Sequence, residues 1–129
     1  QGVVGVPERS GYVASKHAVE GLCASLRMEL RGTGVTVTTV LANWVRGTNL
    51  RVQALGPDGA PRGTAAPPRD ATAVDLDDLT RAVLRAVRAR ERRVFAPGWT
   101  RVLAWLAAFA PGLADRVVAG RTARERARS

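Results

Sequence analysis

Apolar residues recur along this chain in two rhythms. Val19, Leu22, Cys23, Leu26 and Leu30 stand three and four residues apart, which predicts an amphipathic helix from Ser10 or Gly11 to about Arg31, with these five as its buried stripe. Gly32 and Gly34 then supply the stop. Residues 35–41 are β-branched and almost continuously apolar or threonine. That pattern predicts a strand buried on both faces of a parallel sheet. Leu76, Leu79, Val83, Leu84 and Val87 mark a second helix over residues 75–90, with acids in its first turn and arginines in its last. Either Asp75 or Asp77 can cap it, and the charge order complements the helix dipole. Residues 93–96 read as a short strand, and Pro97-Gly98 turns the chain. Residues 99–110 form an apolar third helix broken by Pro111-Gly112, residues 113–118 suit one more short helix, and the arginine-rich tail after Gly120 should fray. Helices alternating with short strands predict an α/β fold.

One stretch breaks the rhythm. Residues 42–70 hold four prolines and four glycines, and a loop of that length in a compact domain is usually functional or disordered. Residues 1–11 read as a strand end and loop, punctuated by Pro7 and Gly11.

Composition narrows the classes. With 129 residues and 46% hydrophobic content, the chain fits one domain with a core rather than a disordered segment. One cysteine excludes an internal disulfide and gives no metal cluster. Cys23 falls on the apolar side of the first helix, where a small buried hydrophobe is expected. The one histidine, His17, reads as solvated. The longest apolar run, residues 102–110, is too short to span a bilayer, which needs about 20 residues. The net charge of +9 admits an anionic partner. No aromatic residues interleave with the basic clusters, so nucleic acid is not expected. For the helix over 99–110, packing or dimerisation comes first, ahead of pocket closure and ahead of weak contact with a membrane surface through residues 99–129.

The chemistry concentrates at two residues. Tyr12 is the one tyrosine and Lys16 the one lysine, since the other basic residues are all arginine. They stand one helical turn apart, on one face. Arginine cannot replace a compact ammonium on a flexible stem. An ammonium beside a phenol favours phenolate, and so creates a proton donor and acceptor usable near neutral pH.

The surrounding residues, Tyr12-Val13-Ala14-Ser15-Lys16, with Leu26-Arg27-Met28-Glu29-Leu30 and Gly34-Val35-Thr36-Val37-Thr38 downstream, resemble the short-chain dehydrogenase/reductase family. Its active-site segment reads Y-x-x-x-K, often Y-x-A-S-K. The resemblance implies the C-terminal part of a Rossmann-like, doubly wound parallel sheet over residues 1–98, followed by an apolar helix and tail over 99–129. It also implies an N-terminal half that this sequence does not show. No strand, glycine-rich turn and helix for a dinucleotide pyrophosphate occur here, and the family's catalytic serine would precede residue 1. Ser10 is too close to Tyr12 for that role. The chain is therefore read as the C-terminal half of a longer enzyme, expected to be inactive and either poorly soluble or molten alone.

The resemblance further implies hydride transfer between NAD or NADP and a small-molecule alcohol or carbonyl, in a cytoplasmic homo-oligomer. Tyr12 would exchange the proton, and Lys16 would assist it and bind the nicotinamide ribose. Where the family has P-G-x-V-x-T, this chain has Ala42-Asn43-Trp44-Val45-Arg46-Gly47-Thr48. Val45 would meet the carboxamide, Asn43 would stand in for glycine, and Thr48 fits as a cofactor ligand only with one residue inserted. Trp44 could line the substrate pocket. Residues 43–55 are read as a cover over cofactor and substrate, and 56–70 carry no assignment. The competing function is a non-enzymatic basic module that binds nucleic acid or an anionic membrane surface.

Overall fold

The computed structural model describes residues 2–7, 9–48, 60 and 73–126. In chain order the elements are α1 (Ser10–Glu29), β1 (Thr39–Ala42), β2 (Val45–Arg46), β3 (Val74–Asp75), α2 (Leu76–Arg88), β4 (Arg93–Ala96), α3 (Thr100–Phe109) and α4 (Pro111–Arg126). Two small parallel sheets result. β1 pairs with β4, Thr39 opposite Arg93 and Ala42 opposite Ala96, and β2 pairs with β3 at Val45 and Val74. The parallel pairing of β1 and β4 across α2 is the α/β arrangement expected of part of a Rossmann-like fold.

α1 ends where Gly32 and Gly34 take φ of +83° and +81°, a region that side chains with a Cβ resist. The ladder then begins at Thr39, not Val35, because β4 offers no partner before Arg93. Side chains serve the backbone of the preceding residues instead. Thr38 Oγ1 donates to the Glu91 carbonyl at 2.7 Å, and Arg27 Nε donates to the Val37 carbonyl at 2.9 Å. β1 is also not buried on both faces: Thr39 is buried, but Val40 is exposed.

The buried stripes differ from those expected. Of the stripe expected for α1, Cys23, Leu26 and Leu30 are half-buried, but Val19 and Leu22 are exposed, while Glu20 is buried and Arg27 is half-buried. The face turned to the sheet follows Val13, Glu20 and Arg27 at seven-residue spacing. It is anchored by polar contacts, since the Arg93 guanidinium meets the Glu20 carboxylate at 2.7 Å. On α2, Leu79 and Val83 are half-buried as expected and Ala86 is buried, while Leu76, Leu84 and Val87 are exposed. Among the described residues the buried apolar set is Val4, Ala86, Val94, Ala96 and Ala114.

Two caps also differ. Asp75 precedes α2 in extended conformation without a side-chain cap bond; its carboxylate pairs instead with Arg46 at 2.8 Å. Pro111 starts α4 rather than only breaking α3, as its fixed φ and missing N–H suit a first helical turn. α4 then runs through Gly120 to Arg126. Its packing on α3, with Ala114 buried, outweighs the roughly 1 kcal/mol that glycine costs a helix interior.

The Arg46 guanidinium, through its hydrogen bond and its charge, holds the Asp75 carboxyl below its ordinary value of 3.8. A depressed folded pKa contributes stability above the unfolded value that disappears as pH falls through the folded one. Asp75→Asn should therefore flatten the acid side of a plot of melting temperature against pH, below 3.8. The effect should be small and salt-sensitive, because both side chains are exposed. An unchanged acid limb would show that the pair does not hold β2 to β3.

Candidate active site

Tyr12 lies in the first turn of α1 and Lys16 in the next. Lys16 Nζ sits 5.2 Å from the centroid of the Tyr12 ring, within the range where a cation is attracted to an aromatic face. Tyr12 is 53% exposed, and Lys16 is exposed as well. Among the described residues, neither the Tyr12 hydroxyl nor the Lys16 ammonium is engaged in a hydrogen bond or ion pair. Ser15 Oγ donates to the Tyr12 carbonyl at 2.7 Å, which fixes the backbone turn between the two. His17 is exposed, its Nδ1 2.9 Å from the Val13 carbonyl.

The segment after β1 meets this helix end. The Asn43 N–H donates to the Ala96 carbonyl at 2.8 Å, which extends the β1–β4 pairing by one step, and the Trp44 carbonyl accepts from Val74 N–H at 2.8 Å. The Arg9 guanidinium, immediately before α1, lies 5.9 Å from the Trp44 ring. Asn43 and Trp44 thus sit at the carboxyl end of β1, tied to the N-terminal end of the helix that carries Tyr12. In open α/β sheets ligands bind outside the carboxyl ends of strands. Val45 is held in β2 against Val74. Thr48 is exposed, its hydroxyl turned back to the Val45 carbonyl at 3.3 Å. The cover assigned to 43–55 lies outside the described residues beyond Thr48.

Gly2 explains how α1 sits against the sheet. A Cβ there would lie 3.4 Å from the Lys16 carbonyl, 3.5 Å from the Leu41 side chain and 3.6 Å from Glu20 Cγ. The segment ahead of α1 is therefore wedged between helix and strand, with Val4 buried. Sequence reasoning missed Gly2, Arg9 and the Glu20–Arg93 pair. The one legible signal was Glu20 and Arg27, two charged residues seven positions apart on one helix face.

Open clefts occur elsewhere among the described residues. One of about 460 Å³ is lined by Arg81, Leu84, Arg85, Arg88 and Ala89 on α2. Another, about 370 Å³, runs between α1 and α3 past His17, Glu20, Arg93 and Ala104. Neither includes Tyr12 or Lys16. Residues 49–59 and 61–72, which follow Trp44 in the chain, lie outside the described residues. Among the described residues no cluster of metal ligands occurs.

Comparison with known proteins decides the lineage. A family profile described as short chain dehydrogenase matches residues 1–56. Dehydrogenase/reductase SDR family member 7B of Danio rerio is 32% identical over 126 residues, 97% of this chain and 40% of the relative. The Mus musculus protein of the same name is 32% identical over 127 residues, 98% of this chain and 39% of the relative. The chain belongs to the short-chain dehydrogenase/reductase family. An SDR family protein 7-like from Anopheles gambiae is 33% identical over 114 residues, 88% of this chain and 35% of its own length. The chain spans about 40% of the length of the relatives it matches. No solved structure matches it. The family is one of oxidoreductases, and its profile covers Tyr12, Lys16 and the segment through Thr48.

Proposed function

We propose that the chain is the C-terminal, catalytic-helix part of an NAD(P)-dependent oxidoreductase that interconverts an alcohol and a carbonyl compound. The observation that carries this reading is the Tyr12–Lys16 pair, exposed on one helix face with the ammonium 5.2 Å from the ring. A nicotinamide, when bound, supplies or accepts the hydride. The Tyr12 hydroxyl gives a proton to the carbonyl oxygen in reduction and takes one from the alcohol in oxidation. The Lys16 ammonium offers three donors, enough to bind ribose hydroxyls while its charge faces the Tyr12 ring.

The residues present fit the nicotinamide–ribose end of the cofactor. An ammonium with donors to spare suits sugar hydroxyls, and Asn43, Val45 and Thr48 stand near the carboxyl end of β1 to meet the carboxamide side. They do not supply a pyrophosphate cradle, since no glycine-rich turn between strand and helix occurs in the sequence. That part of the site is assigned to the additional length seen in the relatives. Trp44 contributes an apolar wall for the substrate.

The test is isotope transfer by the native gene product. Incubated with C4-deuterated NADH or NADPH and a panel of carbonyl compounds, it should place deuterium on the carbinol carbon of one product. A native product that transfers no label across a broad panel, yet binds nucleic acid with a steep salt dependence, would replace the enzyme by a basic binding module.

A further inference from the structure

α3 turns part of its apolar surface away from the rest of the chain. Its small residues Ala104 and Ala107 face the cleft shared with α1. Leu103 and Leu106 are half-buried beside them, but three of its large residues point outward: Val102 is 69% exposed, Trp105 60% and Phe109 75%. These three are spaced by three and four residues and share one face. Trp105 and Phe109 stack with centroids 5.1 Å apart, so the ridge is continuous. α4 follows with Leu113 and Val117 also exposed. The Arg121 guanidinium lies 5.8 Å from the Trp99 ring, which brings the third turn of α4 back beside the start of α3. The two helices therefore form a hairpin.

We propose that this hairpin docks on an anionic lipid surface, with Val102, Trp105 and Phe109 entering the headgroup region. Charge selects this occupant. Residues 99–129 contain Arg101, Arg116, Arg121, Arg124, Arg126 and Arg128 against Asp115 and Glu125, and α3 itself carries no acid. An aromatic ridge beside arginines is the composition that settles at the interface of an anionic bilayer. Juxtaposing the same element from a second copy would instead bring two net-positive surfaces together. Nucleic acid would find no phosphate-binding group on the ridge itself. The hairpin lies on the surface rather than crossing it, because no described helix is long and apolar enough to span a membrane.

Vesicle flotation tests the proposal on the full chain, since aggregates sink while vesicle-bound protein rises. The chain should float with phosphatidylglycerol-containing vesicles and not with pure phosphatidylcholine, and binding should weaken as salt rises. The double substitution Trp105→Glu, Phe109→Glu should reduce partition by about tenfold or more. Vesicles with brominated acyl chains should quench tryptophan emission, and the conservative Trp105→Phe should remove most of that quenching while Trp44 and Trp99 remain. This second readout holds even if the charged variant folds poorly. Failure to float with anionic vesicles would overturn the proposal. So would flotation with quenching unaffected by Trp105→Phe, a dimer in solution that Trp105→Phe dissociates, or binding to polynucleotide in preference to vesicles.

Discussion

Tyr12→Phe is expected to lower kcat of the native gene product by about 10²–10⁴-fold while KM changes little, the usual weight of a positioned general acid–base group. The phenyl ring keeps the ring face toward Lys16, so the loss isolates the hydroxyl. Lys16→Arg should cost nearly as much, although the charge is kept. A guanidinium is broad, planar and fixed in its donor directions, and it cannot both face the ring at 5.2 Å and reach sugar hydroxyls as an ammonium does. Lys16→Met should also raise the apparent KM for the nicotinamide cofactor, because it removes the donors as well as the charge. Both side chains are exposed, so circular dichroism should be unchanged and the kinetics readable as chemistry. Turnover retained in Tyr12→Phe would remove Tyr12 from the mechanism, and Lys16→Arg with native kinetics would remove the specific need for an ammonium.

The pair was legible because it is local: two residues within one helical turn need no tertiary knowledge to be placed on one face. The helices themselves were legible for the same reason. What periodicity did not give was the direction each helix faces. Val19 and Leu22 were assigned inward by hydrophobicity, yet Glu20 and Arg27 turn inward because each has a partner across the sheet, at Arg93 and at Thr39 and Arg92. Those partners lie 12–73 residues away in sequence, outside the one or two turns that set a helix's periodicity. The start of β1 at Thr39 failed for a related reason. Residues 35–38 have strand composition, but a strand exists only where a neighbour pairs with it, and β4 is four residues long. In α4, tertiary packing against α3 carried the helix through Gly120, where local propensity predicts an end. Asn43, Trp44, Val45 and Thr48 were placed by the resemblance alone, and their backbone positions depend on β3 and β4, which the residues themselves do not announce.

Arg27→Ala should be the most damaging single change to the fold, costing about 2–3 kcal/mol. One guanidinium donates to the Val37 carbonyl at 2.9 Å, to Thr39 Oγ1 at 3.0 Å and to the Arg92 carbonyl at 2.9 Å. It joins α1 to the start of β1 and to the residue ahead of β4. Hydrogen bonds from a charged donor are each worth about 1.5–3 kcal/mol, discounted here because one of the three is exposed. The Arg92 carbonyl keeps the Thr39 N–H at 3.1 Å, but the Val37 carbonyl loses its donor. With a buried apolar set limited to one valine pair and three alanines, little hydrophobic stabilisation remains to absorb the loss. Amide exchange reads this directly. Protection at the Thr39 and Asn43 amides, which donate to the Arg92 and Ala96 carbonyls, should collapse in Arg27→Ala, and Arg27→Lys should recover only part of it, since a single ammonium cannot serve three acceptors spread over two segments. Protection unchanged in Arg27→Ala would mean that α1 is held to the sheet by the Glu20–Arg93 pair and the Gly2 wedge alone, and that the route from Tyr12 to the strands runs through those contacts instead.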